Sequence, residues 1–228
     1  TVDDTLKWMP RPGKIEYRWA HFRPGEDPAA LTKIVEFNDL EAVERALRDE
    51  DVAVLLTEPF LTDGGFTMPR EGWHEGLREL CTRYGTLLLI DETHTQTSGP
   101  GGLTREWGLD PDIWVSGKSI GAGLPVGVMG LKEEPARKWQ ALLDSFTPWG
   151  MCGLTGQGTT NSANMLCLRA LRLSLEHNYT DATFAKMFAS MNHLERGMQR
   201  VIEKHGAPFR VDAVGARLNV TFTPDVCY

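Results

Sequence analysis

Short apolar runs that break off at polar residues form the clearest pattern along the chain. Residues 87–90 are apolar and end at Asp91, and the run over residues 112–116 ends shortly before Lys118. Runs of this length, bounded by turn residues, are typical of buried strands in a parallel sheet. A further run of this kind covers residues 52–57. The pattern therefore predicts three neighbouring strands, each followed at once by polar residues.

A helical period separates two of these runs. Between residues 70 and 84 the apolar side chains recur on one stripe, and Gly85 follows as a typical helix end. The order strand, helix, strand, loop, strand favours an α/β fold with a mostly parallel sheet between helices.

Further helices are predicted on both sides of this segment. Asn38 followed by Glu41 is similar to a capping box, which favours a helix start at that point. The apolar stripes predict helices over residues 38–49, 133–144, 165–176 and 181–205. Residues 214–223 alternate between apolar and polar and predict a strand.

Composition narrows the class of protein. The chain has 228 residues, is 41% hydrophobic and carries a net charge of −7, with no basic cluster. That balance supplies a buried core for one or two domains and argues against nucleic acid as a partner. No apolar run approaches the roughly 18 residues of a membrane span.

The cysteines predict neither disulfides nor a metal site. They show no CxxC pair and no metal-ligand spacing with histidine, which favours reduced thiols in a cytoplasmic protein. The four cysteines are Cys81, Cys152, Cys167 and Cys227.

Asp91 and Lys118 are the candidate chemical groups. Both follow predicted parallel strands, and ligands of open α/β sheets sit beyond the carboxyl ends of the strands. A carboxylate and an amine held there are what pyridoxal phosphate needs: the lysine carries the aldehyde as a Schiff base, and the acid keeps the pyridine nitrogen protonated. The ordinary alternatives are a helix cap or ion pair for Asp91 and a surface loop position for Lys118.

Nucleotide motifs do not account for the glycine-rich segment. The GxxxxGK[ST] motif would need glycine at position 112, where Asp112 stands. Gly121, Gly123 and Gly127 do not have GxGxxG spacing either. The sequence therefore gives no support for nucleotide binding by these motifs.

The strings LLLIDETHT and GLDPDIWVSGKSIGAGLPVGVMG are similar to the class III aminotransferases of pyridoxal-phosphate fold type I, including the glutamate-semialdehyde aminomutase branch. Family members place Asp-Glu at a strand end, Pro-Asp before the next strand, and a lysine before a Leu-Pro-Val-Gly turn. The resemblance extends over residues 30–228, which corresponds to the central half of a typical member.

The resemblance also implies a domain organisation. Residues 1–190 are expected to form the cofactor-binding large domain, without its N-terminal part. Residues 191–228 are expected to contain a bridging helix and the start of a small α+β domain.

The same resemblance implies roles for further residues. Thr93 stands where relatives pack a small branched side chain against one face of the pyridine ring. His94 stands where relatives place a polar group that reaches the phenolic oxygen of the cofactor; a solvated loop histidine is the alternative. Glu58 belongs to a Glu-Pro pair close to the cofactor pocket in relatives, or is an ordinary ion-pair partner.

A phosphate contact and a dimer are implied by the segment that starts at Thr160. In relatives the matching threonine crosses the subunit interface to hold the phosphate of the neighbouring cofactor, which predicts a homodimer with shared sites. An N-cap role for the following helix is the alternative for Thr160. Residues 98–102 depart from the family pattern, so the shape of the substrate opening is not predicted.

Three functions are consistent with these residues. The first is an aminotransferase that exchanges an amino group between a small-molecule amine or amino acid and a keto acid. The second is an aminomutase that moves the amino group within one molecule. The third is a non-catalytic relative that pairs with a partner chain. An enzyme is favoured because the chain contains all three of Asp91, Lys118 and Thr160. The aminotransferase is the first expectation.

Overall fold

The computed structural model describes residues 7–11, 14–17, 32–63, 65–145 and 162–223. It begins with an antiparallel hairpin, and its centre is a four-stranded sheet. The hairpin consists of β1 (Lys7–Arg11) and β2 (Lys14–Tyr17). The central strands are β3 (Val54–Thr57), β4 (Leu87–Asp91), β5 (Ile113–Gly117) and β6 (Gly127–Leu131).

The order of the central sheet is β3-β4-β5-β6. Strands β3, β4 and β5 run parallel to one another, which confirms the three predicted strands and their shared direction. Strand β6 runs antiparallel to β5. The prediction of a glycine-rich turn was therefore incomplete, because GVMGL contains two glycines and gives too weak an alternation to signal a strand.

The predicted helices are confirmed with small shifts at their ends. One addition is the five-residue helix α3, which is too short to show a helical period. The helices are α1 (Leu40–Leu47), α2 (Trp73–Arg83), α3 (Gly102–Glu106), α4 (Glu133–Ser145), α5 (Met165–His177) and α6 (Asp181–His205).

The start of α1 differs from the predicted capping box. Asp39 is the N-cap, and its carboxylate accepts a hydrogen bond from the backbone N–H of Ala42 at 2.8 Å. Asn38 has a φ of 69°, a left-handed conformation that asparagine tolerates. Its side chain instead bonds the loop before α2, donating to the carbonyl of Met68 and accepting from the N–H of Arg70.

One face of the sheet is covered by α1 and α2. Val43 and Leu47 of α1 meet Leu77 of α2, and Ile90 of β4 lies against them with no exposed surface. Cys81 is fully buried in the same cluster, and this burial raises the pKa of its thiol to about 11. This core fixes the position of β4 relative to α1 and α2. It therefore also fixes the position of the polar residues that follow β4.

An ion pair fixes the start of β5. Asp112 accepts hydrogen bonds from Arg78 Nη1 at 2.7 Å and from the backbone N–H of Leu88 at 2.8 Å. Burial opposes the charge of Asp112, but these hydrogen bonds and the nearby Arg78 and Lys132 outweigh it and lower the pKa of the carboxyl. The carboxylate thus ties β5 to both α2 and β4.

The C-terminal part contains a hairpin where the sequence predicted a single strand over residues 214–223. Strands β7 (Arg210–Val214) and β8 (Arg217–Thr221) pair antiparallel. Gly215 makes the turn with a φ of 59°, a conformation that suits glycine and that an apolar–polar alternation does not reveal. Helix α6 runs unbroken across residues 190 and 191, and the domain boundary predicted there stays a prediction.

Candidate active site

Asp91 and Lys118 start from neighbouring strands at the same edge of the sheet. Asp91 is the last residue of β4 and pairs with Val115 of β5, and Lys118 follows the last residue of β5. The Asp91 carboxylate is half-buried and accepts a hydrogen bond from the backbone N–H of Thr93 at 2.8 Å. The Lys118 side chain is exposed. The structure thus has the carboxylate and the amine at the strand ends where the sequence predicts them.

Lys118 leaves its strand in a strained backbone conformation. Its φ is 52°, and it is the first residue of a 3-10 turn over Lys118–Gly121. A left-handed conformation costs a residue with a side chain about 1–2 kcal/mol. Such strain is concentrated at functional sites, where the surrounding structure holds it in place.

The turn after Lys118 is held by the junction between α5 and α6. The hydroxyl oxygens of Ser119 and Tyr179 lie 2.7 Å apart. Burial raises the pKa of the Tyr179 hydroxyl, and the hydrogen bond with Ser119 partly offsets this. Tyr179 therefore keeps its proton at neutral pH and remains a possible donor to Ser119.

His94 links Lys118 to the end of β3. Its Nε2 is hydrogen-bonded to Nζ of Lys118, and its Nδ1 lies 2.5 Å from Oγ1 of Thr62. The Thr62 hydroxyl donates to Oε2 of Glu58 at 2.6 Å. The structure therefore joins three residues singled out in the sequence through Thr62, which sequence reasoning missed because no motif marks it.

The Glu58 carboxyl is held by a neutral hydroxyl group rather than by a close ion pair. Its Oε2 lies 3.8 Å from Nδ1 of His94, beyond hydrogen-bond distance. Burial raises the pKa of Glu58; the bond from Thr62 and the neighbouring His94 oppose this effect, whereas Asp91 and Asp63 add to it.

Glu92 is a buried carboxylate with no exposed surface. It accepts hydrogen bonds from the hydroxyl of Thr95 and from the backbone N–H of Thr104 in α3. Gly102 lies directly against it, and a Cβ at that position would be 2.7 Å from the carboxyl atoms. Glu92, the residue after Asp91, therefore ties the end of β4 to α3.

We expect Gly102→Ala to lower the free energy of unfolding by about 3 kcal/mol. The φ of 70° costs alanine about 1–2 kcal/mol, and the overlap with Glu92 costs a similar amount. Gly108→Ala is the matched control, because Gly108 has a φ of 63° and no atom within 4 Å of an added Cβ. The control should lose about 1 kcal/mol in urea unfolding. Equal losses in the two variants would contradict the packing of Gly102 on Glu92.

The C-terminal hairpin contacts the loop that carries His94. Nη1 of Arg217 donates to the backbone carbonyl of His94 at 2.7 Å, and its guanidinium lies 5.9 Å from the ring centroid of Phe66. Gly215 packs on Ser98, where a Cβ would lie 2.3 Å from the carbonyl oxygen. Strand β8 thus holds the backbone of His94 through the side chain of Arg217. The local pattern around Arg217 gives no signal of this contact.

Thr93 and Thr160 are the two remaining predicted site residues. Thr93 contacts Asp91 through its backbone N–H, and its side chain is half-buried. Thr160 lies outside the described residues. Cavities of about 520 and 460 Å³ lie beside α1; the second is lined in part by Glu58, and neither is lined by Asp91 or Lys118.

Metal-ligand clusters and membrane-spanning helices are both absent from the part of the chain that the structure describes. In that part of the chain no group of three or more His, Cys, Asp or Glu side chains is arranged to hold a metal ion. No helix there is both long and apolar enough to cross a membrane.

With this sheet, its flanking helices and the strand-end acid and amine, the chain has the fold of the pyridoxal-phosphate proteins of fold type I. The chain belongs to the class III aminotransferase family, whose model matches residues 10–227. This membership confirms the resemblance seen in the sequence.

Curated relatives are similar to this protein over most of its chain. A glutamate-1-semialdehyde 2,1-aminomutase from Natranaerobius thermophilus is 33% identical over 202 residues, which cover 86% of this chain and 45% of the relative. One from Haloarcula marismortui is 34% identical over 206 residues, which cover 88% of this chain and 44% of the relative. The chain thus spans about half the length of the curated relatives it matches.

Solved structures are also similar over most of this chain. A glutamate-1-semialdehyde-aminomutase variant from Pseudomonas aeruginosa PAO1, in complex with PMP, has a TM-score of 0.85 and 36% identity, covering 99% of this chain and 50% of that chain. An omega-transaminase from Sphaerobacter thermophilus has a TM-score of 0.74 and 26% identity, covering 90% of this chain and 46% of that chain.

Proposed function

We propose that this protein is a pyridoxal-phosphate enzyme that moves an amino group within one molecule, as an aminomutase. The observation that carries the proposal is the pair Asp91 and Lys118 at the ends of neighbouring parallel strands. Pyridoxal phosphate is the cofactor that membership of the family implies. The aminomutase mode is supported by the relatives of 33–36% identity described above, which carry that name.

The described residues fit this cofactor. When bound, pyridoxal phosphate supplies an aldehyde that condenses with amines and a ring that takes up electrons. Lys118 would hold the aldehyde carbon, because its amine is exposed at the sheet edge. Asp91 would hold the ring nitrogen, and the bond from the Thr93 N–H orients its carboxylate for that contact. Thr93 would lie against the ring face.

His94 has a hydrogen-bond partner within the chain itself. The sequence predicts a contact with the phenolic oxygen of the cofactor, whereas in the structure Nε2 of His94 is bonded to the amine of Lys118. A group held by Lys118 would still lie next to this imidazole. The contact with the phenolic oxygen therefore remains part of the proposal.

A homodimer is part of the proposal. Helix α5 begins a few residues after Thr160 and carries exposed apolar side chains, with Met165 78% and Leu166 68% exposed. Apolar surface of this kind favours coverage by another protein surface. A second subunit at this helix would bring the segment with Thr160 to an interface, as the phosphate contact requires.

An aminotransferase is the second candidate. The observation that favours it is the omega-transaminase from Sphaerobacter thermophilus, which shares the fold at 26% identity. In this case the substrates would be a separate small-molecule amino donor and keto acceptor. The strand-end pair would serve both reactions, because both require the same acid and amine.

Turnover of glutamate 1-semialdehyde by the full chain with added pyridoxal phosphate tests the proposal. We expect the aldehyde to be consumed without any keto acid, and added keto acid should not raise the rate. Turnover that depends on an added amino donor and keto acceptor would replace the aminomutase by an aminotransferase. No spectral change with the cofactor and no turnover under either condition would favour a non-catalytic relative.

A further inference from the structure

A continuous hydrogen-bonded chain runs from a half-buried carboxyl group to the amine of Lys118. Oε2 of Glu58 accepts from the Thr62 hydroxyl at 2.6 Å, and Oγ1 of Thr62 lies 2.5 Å from Nδ1 of His94. Nε2 of His94 is bonded to Nζ of Lys118. Thr62 and His94 each bridge two neighbours, so the chain has no gap between the carboxyl group and the amine.

The number of protons fixes the direction of each bond. When Glu58 is ionised, its carboxylate only accepts, and the Thr62 hydroxyl donates its one proton to it. Thr62 can therefore only accept from His94, so Nδ1 of His94 must carry a proton. In a neutral imidazole this leaves Nε2 as an acceptor, and Nε2 is the atom that faces Lys118.

We propose that Glu58, Thr62 and His94 form a proton relay that removes a proton from the ammonium group of Lys118. The proposal rests on the proposed function, in which Lys118 must become a free amine before it can condense with an aldehyde. His94 is the catalytic base in this step, because it touches the reacting nitrogen. Glu58 and Thr62 are positioning residues that act through His94.

Each proton lost by one group of the relay is gained by the next group. An N–H bond of Lys118 breaks as His94 Nε2 gains a proton, and the Nδ1–H bond of His94 breaks as Thr62 gains one. The original O–H bond of Thr62 breaks as Glu58 gains its proton. The products are a neutral amine and a neutral carboxylic acid, and no oxidant or second reactant is needed.

The surroundings favour a proton at the Glu58 end. Burial raises the pKa of Glu58, so this carboxyl binds a proton more readily than an exposed one. Asp63 has its Oδ1 3.9 Å from Nδ1 of His94, and the Asp91 carboxylate acts on Glu58 from β4.

The backbone of His94 is fixed independently of the relay. Arg217 donates to the His94 carbonyl at 2.7 Å from strand β8. His94 is therefore held at its backbone by Arg217. Its two ring nitrogens are held by hydrogen bonds to Thr62 and Lys118. A ring held at both nitrogens cannot turn over without breaking the chain.

The tautomer of His94 is the first test. In the full cofactor-free chain labelled with 15N-histidine, we expect NMR to show the proton of neutral His94 on Nδ1. Thr62→Val removes the acceptor for Nδ1–H, so we expect the 15N resonance of His94 Nδ1 to shift, whereas Thr62→Ser should leave it unchanged. An Nε2–H tautomer in the unchanged protein would overturn the relay, as would a Thr62→Val spectrum like that of the unchanged protein.

The reactivity of Lys118 is the second test. Trace labelling of the cofactor-free chain with acetic anhydride, followed by mass spectrometry, gives the acylation rate of Lys118 relative to the exposed Lys186. His94→Phe should lower this ratio at pH 7 at least about tenfold, since a general base contributes roughly 10²–10⁴-fold. An unchanged ratio would contradict the role of His94.

The two tests separate the relay from the proposed function. An Nδ1–H tautomer and a reactive Lys118, in a protein that neither binds pyridoxal phosphate nor turns over substrate, would overturn the proposed function and leave the relay standing. A protein that binds the cofactor and is active, but whose His94 carries its proton on Nε2, would overturn the relay alone.

Discussion

Replacing Lys118 by alanine is expected to abolish covalent attachment of pyridoxal phosphate and to reduce turnover by at least about 10⁴-fold. Lys118 presents an exposed amine at the end of β5, and an alanine has no nitrogen to take its place. The absorbance band at about 420 nm that marks the attached cofactor should be missing. Absorbance scans before and after borohydride treatment measure this directly.

Lys186→Ala is the matched control for this experiment. Lys186 is an exposed lysine of helix α6, outside the strand ends that form the site. The control should keep the band, its loss on borohydride treatment and the full turnover. A band of normal height in Lys118→Ala would show that another amine carries the cofactor.

Asp91→Asn should have the second largest effect. We expect this variant to keep the absorbance band but to lose turnover by roughly 10²–10³-fold, the cost of removing one preorganised electrostatic partner of the reacting system. An asparagine oxygen can still accept the hydrogen bond from the Thr93 N–H, so the local fold should be kept. A neutral amide cannot stabilise a protonated ring nitrogen as a carboxylate does.

Asp110→Asn provides the control for the loss of one negative charge. Asp110 pairs with Lys132 at 2.6 Å, and its side chain is 65% exposed. This variant should keep both the band and the turnover. If Asp91→Asn turned over substrate as fast as this control, Asp91 would have no role in electron uptake by the ring.

The parts of the fold that could be predicted from the sequence are those with several agreeing features in one short segment, such as an apolar run or stripe with turn or capping residues at its ends. The apolar runs that end at Asp91 and before Lys118 became β4 and β5, because a buried parallel strand needs apolar residues on both faces. Helix α6 begins and ends at the predicted residues, since its apolar stripe, its N-terminal Thr180 and its C-terminal Gly206 agree.

The parts that could not be predicted depend on contacts between distant residues. Arg217 and His94 are 123 positions apart, and Thr62 and His94 are 32 apart. Neither partner carries a local pattern that identifies the other. The hairpin of β7 and β8 was missed because its turn at Gly215 is defined by backbone conformation rather than by alternation.

The prediction of function holds at the level of the family. Class III membership is confirmed, and the aminotransferase expected first is a statement at that coarser level. The relatives described above support the aminomutase, which the sequence analysis gave as its second hypothesis. The two reactions use the same acid and amine, so the residues at the strand ends do not distinguish them.

Mapping the site of cofactor attachment tests the central claim most directly. The full chain is incubated with pyridoxal phosphate, reduced with borohydride, digested and analysed by mass spectrometry. The account predicts a phosphopyridoxyl group on the peptide that contains Lys118, at about one per chain. An adduct spread over exposed lysines such as Lys186, or no adduct on the Lys118 peptide, would contradict it.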